Sequence, residues 1–212
     1  MRVSEPMQMS LKNFKALLKS LPKTEIHLHL EGIASVDTIW SLMNKNSITV
    51  PGISNKEDLK KRFSITSLDE FISLFINIIQ NCFQTAEDIS YLITDAKSYL
   101  QRNNIEYAEI FFAPSKFLMN GISFSEIVEQ LQNGSDEIKK TTGITVKYII
   151  DVSRSYGEEN AKKNLELTLA NPADSIIGIG LGGSEASGPA KDFQKVFENA
   201  LSKGLRVVAH AG

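Results

Sequence analysis

With a single cysteine, Cys82, in 212 residues, the chain has no means of forming an internal disulfide, and its N-terminus lacks the basic-then-apolar pattern of a secretory signal. A soluble protein of a reducing compartment, the cytoplasm, is the expectation. No apolar run approaches the roughly 20 residues needed to cross a bilayer, which argues against a membrane-spanning protein. Nor is there an excess of one charge: 23 basic residues face 25 acidic ones, for a net charge of −2, so neither nucleic acid nor an anionic membrane surface is an expected partner. Repeats, low-complexity tracts and linker-like Pro/Ser runs are also missing, so nothing marks a second domain. What is present, 42% hydrophobic residues, suffices for one sizeable core, and residues 1–212 read as a single domain.

Five β-branched or aromatic runs follow polar or glycine breaks: Thr24–Glu31, Ile105–Pro114, Thr145–Ser153, Ile176–Gly183 and Leu205–Gly212. These predict strands. Stretches with helical apolar spacing lie between them, such as Phe71, Leu74, Phe75, Ile78 and Ile79, or Val128, Leu131 and Ile138. Asp69 and Thr85 occupy places suited to helix N-caps. Strands separated by helices imply parallel pairing, hence an α/β fold. Residues 35 to 104, too long for one crossover, predict a helical excursion forming a lid or wall. Asn133-Gly134 reads equally as a turn or as part of a surface helix.

The three histidines, His27, His29 and His210, all fall at or near the C-terminal ends of predicted strands. Side chains alternate along a strand, so His27 and His29 project from one face, with Glu25 and Glu31 sharing their parity. In a closed barrel His210 would meet that pair at the C-terminal mouth. Neutral imidazoles bind Zn²⁺ well, and three protein ligands leave a position for water. For a lone histidine, a hydrogen-bonded structural role is the plainer explanation; three at strand ends favour metal binding.

Gly178–Gly183 (GIGLGG) fits the G-x-G-x-x-G dinucleotide pattern, but its context does not. Ser184–Pro189 delays any helix to about Ala190, and no acidic residue ends a second strand some 20 residues on. The glycines therefore read as allowing tight strand packing and a turn, or, at Gly183, close approach of a ligand to a backbone N–H.

Leu21–Gly32 (LPKTEIHLHLEG) resembles the first strand of the adenosine deaminase family of zinc-dependent purine deaminases. Ile176–Glu185 (IIGIGLGGSE) is similar to that family's fourth-strand motif, and Val207–Gly212 (VVAHAG) to the start of its fifth. The resemblance implies a (β/α)8 TIM barrel, of which this chain supplies about the first five strands plus a helical insertion after strand 1. It implies hydrolysis of the 6-amino group of a purine, with His27, His29 and His210 as ligands to Zn²⁺. By the same resemblance His29, Glu31 and Gly183 face the substrate, a small purine nucleoside or base. Adenosine, giving inosine and ammonia, is the leading expectation; adenine or an aminofutalosine-type nucleoside is the alternative, since Glu stands at position 31 where adenosine-directed members often carry Asp.

The family's catalytic Glu would follow Gly212, so no catalytic proton donor is expected within residues 1–212. The chain reads as the N-terminal part of a longer protein, inactive by itself; a truncated, non-catalytic barrel acting in binding is the competing expectation. Trp40, Phe71, Phe75 and Phe83 read as core or pocket wall, Asp151 as either a partner of a metal ligand or a cap, Cys82 as inert, and Glu25 as a buried hydrogen-bonding or salt-bridging group.

Overall fold

In the computed structural model, which describes residues 10–185 and 188–210, the five expected strands form one parallel sheet. They are β1 (Lys23–His29), β2 (Ile105–Phe112), β3 (Thr145–Ser153), β4 (Ile176–Gly182) and β5 (Arg206–Ala209), paired in chain order. The architecture is a partial (β/α)8 barrel. Its helices are α1 (Leu11–Ser20), α2 (Val36–Lys45), α3 (Lys56–Arg62), α4 (Leu68–Leu74), α5 (Ile89–Arg102), α6 (Ser115–Met119), α7 (Phe124–Thr142), α8 (Gly157–Ala170) and α9 (Gln194–Ser202). Of these, α2 to α5 make up the excursion between β1 and β2. No described helix is long and apolar enough to cross a membrane.

Alternation along the strands separates two faces. Val146, Tyr148, Ile150 and Val152 of β3 join Ala108, Ile110 and Phe112 of β2 in the core under the helices. Phe111, Asp151 and the alternate glycines of β4 occupy the concave face, where a Cβ at Gly180 would come within 2.6 Å of the Phe111 ring. The glycine-rich run is thus a packing device, and the helix after it begins only with a 3-10 turn at Ala190–Phe193. That agrees with its reading as something other than a dinucleotide loop.

The sequence left Asn133-Gly134 open, and the structure resolves it as helix. α7 runs through both residues, opened by a Ser123/Glu126 capping box and closed by Gly143 at φ +78°. Gly134 lies buried where α7 crosses α5, with Ile93 so close that a Cβ would fall 2.4 Å from Ile93 Cδ1. Glycine here serves helix–helix contact rather than a turn.

One helix is additional to the sequence reading, and two local expectations, the Asp69 cap and a first strand reaching Glu31, are corrected. α1 was not foreseen; Ser10 caps it, but its apolar stripe of Leu11, Phe14, Leu17 and Leu18 stays exposed. At α4 the cap is Ser67, whose hydroxyl accepts from Glu70 N, while the Asp69 side chain lies outside the described residues. β1 stops at His29, because Leu30 turns helical and Glu31 opens a 3-10 turn, so Glu31 leaves the strand alternation. Thr85 does cap a turn, its N–H donating to Asp88 Oδ2 at 3.1 Å.

Candidate metal centre at the C-terminal mouth

β1 and β5 lie at opposite edges of the sheet, yet the sheet coils so strongly that their C-terminal ends meet. Nε2 of His27 lies 3.3 Å from Nε2 of His210. The His210 ring stacks on His29 at 5.1 Å between centroids, and one nitrogen from each of the three rings falls within 4.8 Å of the others. Two backbone features set this up. A bulge puts Ile26 and His27 of β1 opposite a single residue of β2, because Glu25 pairs with Ala108 and Leu28 with Ile110. Beyond β5, His210 N donates to Leu181 O at 3.0 Å, extending the ladder by one residue.

The same bulge explains why Glu25 departs from expectation. It pairs with the outward-packing Ala108 rather than following the histidines, and it is half-buried, its Oε1 accepting from His27 N at 3.2 Å. It forms no salt bridge among the described residues.

The donor set fits a metal ion. Zn–N bonds of about 2.0–2.1 Å in tetrahedral array place ligand nitrogens about 3.3–3.4 Å apart, the separation found between His27 and His210. Two of the rings, His29 and His210, are also biased toward the neutral form that metal ligation requires. Burial, followed by the proximity of His210 and His27, lowers His29 to about 4. His210 is lowered by burial, then by His27 and Arg154. Phe111 supports the cluster from β2, its centroid 5.0 Å from His27, 5.1 Å from His29 and 5.6 Å from His210. From the excursion, the Phe75 ring meets His29 edge-on at 6.4 Å, with Phe71 5.7 Å behind it, so these two form the expected wall. Phe83, by contrast, is fully buried core, and Trp40 packs partly buried against that core.

Two buried carboxyls accompany the histidines. Asp151 Oδ2 lies 3.7 Å from His29 Nδ1, within ion-pair reach but beyond a hydrogen bond, and Oδ1 has no partner. Burial raises the Asp151 carboxyl to about 7. Of its two sequence readings, the structure favours the partner of a histidine over the cap. Glu31 is fully enclosed: Oε1 accepts from Ala113 N at 3.1 Å, and Oε2 is buried without a partner. Burial lifts Glu31 to about 8, against the opposing hydrogen bonds from its own N–H, Ala113 N and the Gln80 side chain. A cation among the histidines would pull both carboxyls back toward ionisation.

Gly183 follows β4 at φ +88°, a conformation natural only to glycine, and a Cβ there would crowd Ser153 Oγ at 3.1 Å. The residue the sequence did not single out is Arg154, 3% exposed, which donates to the carbonyls of Gly188 and His210. Its place immediately after a strand, on the side where barrel sites form, was the available signal.

The profile of the adenosine deaminase family matches residues 22–212. The adenine deaminase of Zymomonas mobilis is 32% identical over 203 residues, an overlap of 95% of this chain and 59% of that protein. For the adenine deaminase of Ectopseudomonas mendocina the identity is 35% over 198 residues, covering 92% and 61%. Among solved structures, the adenine deaminase from Arthrobacter aurescens superposes with a TM-score of 0.79 at 29% identity, covering 89% of this chain and 57% of that one. The chain thus spans 59% and 61% of the length of the two curated relatives.

Proposed function

The chain belongs to the adenosine deaminase family, and from that premise we propose that the whole protein is a zinc-dependent adenine deaminase, converting adenine and water into the 6-oxopurine and ammonia. The observation that carries the reading is the convergence of His27, His29 and His210, from opposite edges of the sheet, with one nitrogen of each within 4.8 Å of the others and the His27–His210 pair at the 3.3 Å that zinc ligands adopt. Adenine takes precedence over adenosine because the relatives sharing a third of their residues with nearly the whole chain are adenine deaminases. The initial expectation of adenosine thus gives way to its alternative.

In this reading His27, His29 and His210 hold the zinc through neutral imidazoles, and Asp151 steadies His29 from the Nδ1 side. Zinc, when bound, supplies Lewis-acid activation for hydrolysis at neutral pH. Phe75 and Phe111 cover the His29 ring and shield it from bulk water, strengthening the electrostatic contacts it makes. Gly183 presents its backbone N–H to a ring nitrogen of the purine, from a left-handed backbone conformation that a side chain would strain. Glu31, the acidic group that the family resemblance turns toward the substrate, is 0% exposed, so the groups that cover it must give way for it to touch a ligand.

The test is ammonia release from adenine by the whole protein, before and after chelation. Activity that vanishes on metal removal and returns with zinc supports the reading, whereas turnover indifferent to chelation, or none after zinc reconstitution, contradicts it.

A further inference from the structure

Arg154 stands outside the chemistry just described, yet it joins the mouth together. It follows β3 directly, its side chain only 1% exposed. Nη1 donates to the Gly188 carbonyl at 2.7 Å, in the segment after β4, and Nη2 to the His210 carbonyl at 3.0 Å, just beyond β5. Nη2 also lies 3.5 Å from Oε1 of Glu185, a side chain 58% exposed, while Nε is buried with no partner. One guanidinium therefore ties the ends of three successive strands.

As a stabilising element this is poorly made. A buried cation is expensive to desolvate, and the one carboxylate paired with it among the described residues, Glu185, is distant and 58% exposed. A planar fork does, however, reach two carbonyls on two different segments at fixed angles, which the point charge of a lysine does not reproduce. The surrounding backbone is fitted to it: a Cβ at Gly188 would come 2.8 Å from Arg154 Cβ, and one at Gly183 would lie 3.4 Å from Arg154 N. At the end of β5, a four-residue strand, the last ladder bond to β4 is the one from His210 N to Leu181 O.

We propose that Arg154 is a positioning residue of the metal centre: by holding the His210 carbonyl against the segment after β4, it fixes the third imidazole relative to His27 and His29. The inference rests on the reading of the three histidines as metal ligands. Arg154 contributes no atom to the three-histidine cluster. It acts through the backbone of His210, so its contribution exists only while His210 is a ligand.

That condition supplies the test, made on the whole protein. Zinc affinity is measured by chelator competition for the wild type, Arg154→Lys, His210→Ala and the double variant, with thermal unfolding of each metal-free form. Arg154→Lys is expected to lower zinc affinity about tenfold when His210 is present, the usual scale for a group supporting a ligand, and less than about twofold in the His210→Ala background. The cobalt(II)-loaded Arg154→Lys variant should also show altered d–d absorption, because a drifting imidazole changes the ligand field. Equal losses in both backgrounds, or a variant that melts lower but binds zinc as tightly with unchanged cobalt bands, would overturn the proposal and leave Arg154 as a brace for the fold. If His210→Ala itself leaves zinc affinity unchanged, the metal reading fails first, and the positioning role falls with it.

Discussion

Asp151 Oδ2 lies 3.7 Å from His29 Nδ1 in space that exists because residues 180 and 182 of the neighbouring strand are glycine. A Cβ at Gly182 would fall 2.7 Å from Asp151 Oδ2, and one at Gly180 would sit 3.2 Å from Oδ1. Asp151 is 7% exposed, so its carboxyl has little room to retreat. Gly182→Ala is therefore expected to destabilise the protein by about 1–3 kcal/mol through overpacking. It should also weaken zinc binding by about tenfold or more through the displaced Asp151. Thermal unfolding and chelator competition on the same sample check both, and normal zinc affinity would mean that Asp151 does not support His29.

Gly134 offers an independent check on the helical layer. Alanine normally favours a helix interior over glycine by about 1 kcal/mol, but at Gly134 its Cβ would meet Ile93 Cδ1 at 2.4 Å and both Cγ atoms at 2.9 Å. Overpacking wins, so Gly134→Ala should cost about 1–2 kcal/mol. In an Ile93→Ala background the clash is gone, and the same substitution should become neutral or mildly stabilising. Denaturant unfolding of the four proteins gives the coupling.

Asp88 anchors the excursion and should govern its acid stability. It is fully buried, and the upward push of burial is outweighed by the Lys45 ammonium, the N–H groups of Gln84 and Thr85 and the Asn46 amide, which hold it below its ordinary 3.8. Such a group contributes fully above its unfolded value and loses that contribution as the pH falls through its lower folded value. Asp88→Asn should cost about 1–3 kcal/mol at neutral pH. The gap between wild type and variant should close as the pH falls below about 4. A gap that widens in acid would contradict this assignment.

Metal should stabilise the fold through the histidines. Zinc at 100 times its Kd is worth about 2.7 kcal/mol, which should appear as a raised melting temperature in the wild type. His27→Ala, His29→Ala and His210→Ala should each lose most of that increment. A shift surviving all three substitutions would place the metal elsewhere.

Much of this was legible in the sequence because strand order and alternation are local signals. The five runs became five parallel strands, and the three histidines arrived at one mouth. What escaped depended on departures from regularity or on distant partners. The bulge at Ile26 and His27 cannot be read from alternation, and it turns Glu25 away from the register of the histidines. The early end of β1 draws Glu31 into an enclosed turn whose partner, Ala113, is 82 residues away. Arg154 has no motif of its own, since its acceptors are backbone carbonyls 34 and 56 residues further on. Gly134 stayed open between turn and helix because the Ile93 side chain that requires a glycine there belongs to another helix.

The most direct test of the central claim is the ratio of kcat/KM for adenine to that for adenosine, measured by ammonia release from the zinc-loaded whole protein. A ratio of at least about 100, equal to about 2.7 kcal/mol of transition-state preference, is the expected result. A ratio below one would return the protein to the nucleoside-directed branch of its family, and ammonia from neither purine would contradict the account altogether.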